Sequence, residues 1–141
     1  MRGPLVLVVI SASILPVGCS MAQATTPDPE NRAQCLVAFE YGHEMFRHSA
    51  VPDYIAALSM TGRQLYNTQK LKAAGVADGG GAEAIAFAKA HQNDSKMLRA
   101  LLKKCIDVQQ RDPNIVPALV QLTPLVRRVD PICKENLSIC Q

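Results

Sequence analysis

Apolar side chains recur every three or four positions along the chain, a spacing that is typical of amphipathic helices and not of strands. The first predicted helix begins at Pro29, because proline is favoured at the first helical position, and it ends near Arg47. The second predicted helix begins at Pro52 and ends before a glycine cap at Gly75. No segment shows the alternation of a half-buried strand, so the pattern predicts an all-α protein.

Each of these two helices has a stripe that we expect to face the core. In the first helix the stripe consists of Cys35, Leu36, Ala38, Phe39, Gly42, His43 and Phe46. In the second helix it consists of Ile55, Leu58, Gly62, Leu65 and Gln69. Glycine inside a helix costs about 1 kcal/mol relative to alanine. Because Gly42 and Gly62 both lie on inner stripes, we expect the two helices to cross closely at these glycines.

A third helix follows the flexible, glycine-rich connector 75–83 and kinks or restarts within residues 92–95, where capping residues gather. Its second half places Leu98, Leu101, Leu102 and Cys105 on one face. Prolines then interrupt an apolar tail, so we expect short helices that begin at Pro117, Pro124 and Pro131. The predicted fold is a small, disulfide-stapled helical bundle of three main helices, with the proline-punctuated short helices packed across it.

Residues 1–24 have the pattern of a signal peptide. An apolar run over residues 5–15 follows the single charge of Arg2 and is too short to span a bilayer. Small residues allow cleavage after Ala22 or Ala24, and the alternative is lipoprotein processing with acylation of Cys19. Residues 25–29 form a linker, and residues 30–141 form a single helical domain. We expect export, to the periplasm or, as the alternative, to a membrane as an anchored lipoprotein.

Four cysteines follow the predicted signal peptide, and an even number in an exported chain predicts disulfides. We expect the pairs Cys35–Cys105 and Cys133–Cys140, because Cys35 and Cys105 both lie on inner stripes and can meet across the core. A continuous helix would hold cysteines seven residues apart at about 10 Å, beyond the reach of a disulfide. Residues 134–140 must therefore turn back.

The charge of the chain is small. It is formally +3 at a pI near 8.7, and removal of residues 1–24 leaves +2 because Arg2 is the only charge lost. The chain has no tryptophan and few aromatic residues for base stacking, so we expect no binding to nucleic acid. Contact with a membrane is expected only if Cys19 is acylated.

The stretch YGHEMFRH, residues 41–48, is one residue away from the His-Glu-x-x-His motif of zinc proteases. Its histidines are five residues apart, which is a rotation of about 140° on a helix, so His43 and His48 cannot share one metal ion. We expect Glu44 to pair with His48 at the surface, and His43 to be half-buried with one hydrogen bond. Close cysteine pairs, nucleophile elbows and phosphate-binding loops are missing from the sequence, so it predicts no catalytic residue, no metal site and no cofactor.

The leading hypothesis is a small exported cell-envelope protein that binds a partner protein or a small apolar ligand without catalysis. The expected binding surface is the apolar tail with its basic neighbours, namely Leu119, Leu122, Val126, Arg127 and Arg128. The segments CLVAFEYG, residues 35–42, and LLKKC, residues 101–105, resemble stretches of periplasmic immunity proteins and acid-stress chaperones, which implies a protective role as an alternative. An alternative of another class is a metal carrier or thiol-dependent enzyme that uses His43, His91 and a free cysteine.

Overall fold

The computed structural model of the protein describes residues 26–141, so the predicted signal peptide and Cys19 lie outside the described residues. The helices are α1 (Arg32–Arg47), α2 (Tyr54–Ala73), α3 (Gly81–His91), α4 (Ser95–Gln110), α5 (Ile115–Val129), α6 (Pro131–Glu135) and a 3₁₀ helix (Leu137–Cys140). No strand occurs within residues 26–141. The predicted all-α bundle is confirmed, and the predicted third helix restarts as the separate helices α3 and α4.

The first helix begins later than predicted. The Asn31 side chain accepts hydrogen bonds from two backbone N–H groups of the first turn, so α1 begins at Arg32 and not at Pro29. The segment before it is a turn in which the Asn31 N–H bonds to the Asp28 carbonyl. The Gln34 side chain holds this segment, because it accepts from the Asp28 N–H at 2.7 Å and donates to the Thr26 carbonyl at 2.8 Å. The Gln34 side chain of α1 thus fixes the position of the segment that precedes the helix.

The glycine-rich connector is packed against the bundle at its second half, whereas residues 75–78 are exposed. Gly75 caps α2 as predicted, with φ +94° and a bond from the Val76 N–H to the Leu71 carbonyl. Gly79 and Gly80 are buried and also have positive φ. A Cβ atom at Gly80 would lie 2.6 Å from a methyl group of Leu71. Gly80 therefore lets the connector pass close to Leu71 of α2 and Ala33 of α1.

Helix α1 lies at the centre and packs against α2, α3 and α4. The main core contains Cys35, Ala38, Phe39, Met60, Phe87, Leu98, Leu101, Leu102 and Cys105. A Cβ atom at Gly42 would lie 2.9 Å from Leu102 Cδ2 of α4 and 3.1 Å from Met60 Sδ of α2, so this glycine allows both helices to approach α1 closely. Gly62 instead faces Leu119 and Val126 of α5. The predicted close crossing of α1 and α2 is therefore present at Gly42, whereas the prediction is wrong for Gly62, which faces α5.

Helix α2 has two inner faces, and the sequence pattern identified only one of them. The face towards α1 includes Ala57, Met60, Thr61 and Asn67, all buried. The predicted stripe through Ile55, Leu58 and Gly62 faces α5 instead, and Ile55 is 83% exposed. The prediction that this stripe forms the core is therefore wrong for Ile55 and for the exposed Gln69. It holds for Gly62, which is buried, and for Leu65, which packs against the buried Tyr66, Ile115 and Leu122. The face that does pack on α1 is partly polar, so an apolar periodicity cannot reveal it.

The apolar tail forms one 15-residue helix and not several short ones. Pro117 lies in the first turn of α5, where no intrahelical donor is needed. Pro124 lies inside the helix but is exposed, next to the exposed Val120 whose carbonyl would otherwise accept its N–H. The predicted start at Pro131 is confirmed, because α6 begins there with Asp130 as its cap.

Both predicted disulfides are present. Cys35 and Cys105 join α1 to α4 across 70 residues, with 5.7 Å between their Cα atoms. Cys133 and Cys140 close the C-terminal turn, with 5.5 Å between their Cα atoms. Helix α6 ends at Glu135, so the chain turns back as the short loop requires. Disulfides indicate an oxidising, non-cytoplasmic environment. Within residues 26–141, no helix combines the length and the apolar character needed to cross a membrane.

Candidate functional site

An apolar groove of about 350 Å³ runs between α2, α5 and the C-terminal residues. We call it the α2–α5 groove. It is lined by Ile55, Leu58, Ser59 and Gly62 from α2, by Leu119, Val120, Thr123, Val126 and Arg127 from α5, and by Ile139, Cys140 and Gln141. Its volume is in the range of small-molecule pockets, and such pockets are mostly apolar with a few placed polar groups.

The wall formed by α2 is the stripe that the sequence predicted as core. Ile55, Leu58 and Gly62 follow the spacing of one helix face and lie along the groove. Because Gly62 has no side chain, Leu119 and Val126 of α5 approach within 3.5 and 3.7 Å of the position that a Cβ atom would occupy. The apolar periodicity was thus a correct signal of an apolar surface, although only part of that surface is covered.

Only some residues of the predicted partner surface belong to the wall that α5 contributes to the groove. Leu119, Val126 and Arg127 line the groove, whereas Leu122 and Arg128 do not. Leu122 and Val126 are only 6% and 7% exposed, and Leu122 packs with Tyr66 and Ile115 in a second small core. The prediction that Leu122 belongs to a partner surface is therefore wrong, because this face of α5 is buried against α2.

The groove combines an apolar body with one cation. Arg127 is its only charged side chain among the described lining residues, and it is exposed. Ser59 and Thr123 add hydroxyl groups at the same site, and Ile55 and Val120 leave apolar surface open to water at 83% and 66% exposure. Such an arrangement suits a molecule with an apolar chain and an anionic group.

A second cluster is centred on Asp130, which is completely buried. One of its carboxylate oxygens accepts from His43 Nε2 at 2.9 Å and from Thr61 Oγ1 at 2.5 Å, and the other accepts from the Ile132 N–H at 2.9 Å. The expected half-buried His43 with one partner is wrong, since the ring is 3% exposed and has partners on both nitrogens. Sequence reasoning missed Asp130, whose only signal was its position before Pro131.

The second ring nitrogen of His43 meets acidic side chains of its own helix. Nδ1 lies 3.3 Å from Glu44 Oε1, and the ligand atoms of Glu40, His43 and Glu44 all lie within 4.8 Å of one another. The predicted surface pair is present, with His48 Nε2 at 2.9 Å from Glu44 Oε2. His91 stacks on Phe87, with 4.6 Å between ring centroids, and does not join this group.

The four cysteines within residues 26–141 are all in disulfides, so the described chain supplies no thiol for the enzyme alternative. A thiol-dependent reaction would need Cys19, which lies outside the described residues.

Further buried polar groups join α1, α2 and α4. Arg63 is 7% exposed and donates to Gln109 Oε1 at 3.0 Å, and Gln109 in turn donates to Asn67 Oδ1 at 2.8 Å. Burial lowers the pKa of the Arg63 guanidinium from its ordinary value. Burial and then the hydrogen bond that Tyr66 donates to Asp112 raise the pKa of Tyr66 to about 12. These groups connect helices and lie outside the α2–α5 groove.

The chain matches no protein family model, no curated protein and no solved structure.

Proposed function

We propose that the protein is a non-catalytic binding protein of the cell envelope that holds a small amphipathic anion in the α2–α5 groove. The ligand class is a molecule with an apolar chain and one acidic group, such as a medium-chain fatty acid. The observation that carries the proposal is the apolar groove of about 350 Å³ with Arg127 as its charged lining residue.

Burial of apolar area would provide most of the affinity, at about 25 cal/mol for each Å² removed from water. Arg127 would contribute orientation and preference for an anion, and because it is exposed its contribution is on the order of 1 kcal/mol. Leu58 and Val126 form the inner part of the groove, whereas Ile55 and Val120 lie at its open side. The apolar chain would therefore lie inward, with the acidic group towards Arg127.

The proposed location is the periplasm, with the lipoprotein form at Cys19 as the alternative. Support for export comes from the signal-peptide pattern of residues 1–24 together with two disulfides, which persist in oxidising compartments.

Calorimetric titration of the disulfide-bonded protein with decanoate tests the proposal, with decanol as the uncharged probe. We expect saturable binding of decanoate that is stronger than that of decanol. Arg127→Gln should weaken decanoate binding about fivefold and leave decanol binding unchanged, because an exposed ion pair contributes on the order of 1 kcal/mol. Arg128→Gln is the matched control, since Arg128 is the neighbouring exposed cation and does not line the groove.

A second pair of variants tests the apolar part of the α2–α5 groove. Val120→Glu places a charge in the groove and should weaken both probes at least tenfold, because a charge loses solvation in an apolar site. Val116→Glu, one helical turn earlier and also exposed, lies outside the groove and should have no effect. If neither probe binds, or if Val116→Glu and Val120→Glu weaken binding equally, the proposal is wrong.

A further inference from the structure

Three potential metal ligands lie close together on α1. Glu40 precedes His43 by three residues and Glu44 by four, so it is a helix-surface neighbour of both, and the ligand atoms of all three lie within 4.8 Å of one another. The distance between two ligand atoms on one zinc ion is about 3.3 Å, since each lies about 2.0 Å from the ion. Small rotations of the glutamate side chains are enough to close this gap. Glu40 is exposed and Glu44 is half-exposed, so both can rotate.

The hydrogen bonds of His43 favour a cation beside Nδ1. Its Nε2 lies 2.9 Å from the buried Asp130 carboxylate, which can only accept, so the Nε2 proton points there. In the neutral ring Nδ1 then has a lone pair, and that lone pair faces Glu44 Oε1 at 3.3 Å. Two acceptors in this position repel each other unless a proton or a metal ion lies between them. The ring is 3% exposed, so it cannot turn away into water.

Each of the three ligands is oriented by a different residue. Asp130 holds His43, an arrangement in which a carboxylate fixes the imidazole of a metal ligand. Gln64 donates to Glu40 Oε2 at 3.1 Å and also to the Leu36 carbonyl. His48 contacts the Glu44 oxygen that faces away from His43. The ligand set is therefore supported from outside the cluster.

We propose that Glu40, His43 and Glu44 bind a divalent first-row transition metal, with Zn²⁺ as the probe, through His43 Nδ1 and one oxygen of each glutamate. One imidazole and two carboxylates carry two negative charges, which match a divalent ion. Three protein ligands leave the fourth position of a tetrahedral zinc ion to water. Arg47 lies 3.8 Å from Glu44 and would weaken binding to some extent, although its shorter contact is with Glu135 at 2.6 Å.

The site is distinct from the α2–α5 groove, and none of its three ligands lines that groove. It also differs from the motif suggested by the sequence, because His48 is not a ligand. The proposal therefore does not depend on the proposed ligand of the groove.

Equilibrium dialysis of the disulfide-bonded protein against Zn²⁺ tests the site. We expect one ion for each chain, and ¹⁵N NMR of the imidazole rings should show the metal at His43 Nδ1 with the proton retained at Nε2. Glu40→Gln and Glu44→Gln should each weaken binding at least tenfold. Asp130→Asn should weaken it about 10-fold to 100-fold through loss of ring orientation. Glu83→Gln, an exposed acid on α3, should have no effect.

Two histidine variants identify which imidazole holds the ion. His43→Gln removes a buried partner of Asp130, so its folding is checked by circular dichroism before binding is measured. His48→Asn removes the exposed histidine that also contacts Glu44. If His48→Asn abolishes binding while Glu40→Gln does not change it, the ion sits on the surface pair and the proposal is overturned. Absence of stoichiometric binding, with a proton found on both nitrogens of His43, also overturns it.

Discussion

The buried carboxylate of Asp130 should be one of the main determinants of stability in the C-terminal half of the fold. It is completely buried and joins α1, α2 and α6 through His43, Thr61 and the Ile132 N–H. Asp130→Ala removes all three acceptor contacts at once. Asp130→Asn has nearly the same shape and keeps one side-chain oxygen as an acceptor.

The expected loss follows from what the alanine variant leaves behind. His43 Nε2 and Thr61 Oγ1 become buried donors without partners, at about 1–3 kcal/mol each. Loss of the cap of α6 adds about 1 kcal/mol. Part of this loss of stability is offset, because the alanine variant no longer bears the desolvation cost of a buried carboxylate. We therefore expect Asp130→Ala to lower the free energy of unfolding by about 4 kcal/mol, and Asp130→Asn by about half as much.

Urea unfolding followed by far-UV circular dichroism, with both disulfides intact, measures the effect. With a urea m-value of about 1.5 kcal/mol per M, the midpoint of Asp130→Ala should fall by between about 2 and 3 M. Asp107→Ala, at an exposed acid on α4, should change stability by less than about 0.5 kcal/mol. A loss below about 1 kcal/mol in Asp130→Ala would show that water replaces the missing oxygens and would refute the reasoning.

Three further predictions concern other parts of the fold. Replacement of both Cys35 and Cys105 by alanine should lower the free energy of unfolding by about 4 kcal/mol. Replacement of Cys133 and Cys140 should lower it by only about 2.5 kcal/mol, because that disulfide closes a shorter loop. Equal losses in urea unfolding would contradict this prediction. Gly42→Ala should destabilise the protein by about 1–3 kcal/mol, because its Cβ atom would lie 2.9 Å from the core residue Leu102. Gly62→Ala makes contacts of 3.5 Å and should stabilise the protein by up to about 1 kcal/mol. Calorimetric melting in which Gly62→Ala is less stable than Gly42→Ala would refute this assignment. The pKa of Tyr66 is raised from 10.0 to about 12, so its contribution to stability is complete below pH 10 and is lost as the pH rises towards 12. Tyr66→Phe should remove this loss of stability at alkaline pH. If the free energy of unfolding of Tyr66→Phe depends on pH as that of the original protein does, the prediction is wrong.

Sequence reasoning succeeded where a feature depends on local spacing. The amphipathic face of α4 contains Leu98, Leu101 and Cys105, and all three are buried as predicted. The disulfide pairing followed from the inner positions of Cys35 and Cys105 in their helices. Sequence reasoning failed for the tail, because each of its prolines was expected to begin a new short helix. Pro124 lies on the exposed side of α5, and the helix continues through it while Leu122 and Val126 on the other side are buried.

The candidate sites depended on the tertiary structure to different degrees. The groove has a signal in the sequence, the stripe of Ile55, Leu58 and Gly62, but the stripe does not reveal which neighbour covers it. Glu40 is a neighbour of both His43 and Glu44 on any regular helix, yet the orientation of the imidazole ring comes from Asp130. That contact spans 87 residues, and no local pattern predicts it.

The sequence by itself therefore determined the helical period, the two disulfides and the reversal of the chain at its C-terminal end. The period and the reversal follow from backbone geometry over a few residues, and the Cys35–Cys105 pair follows from the inner position of each cysteine on its own helix. The tertiary structure decided which face of α2 is core, why Gly42 is required and where the acidic side chain of Asp130 lies. These features arise from contacts between distant segments, such as Thr61 with Asp130 across 69 residues. Periodicity shows that a helix face is apolar, and only the packed neighbours determine whether that face becomes a core or an open groove.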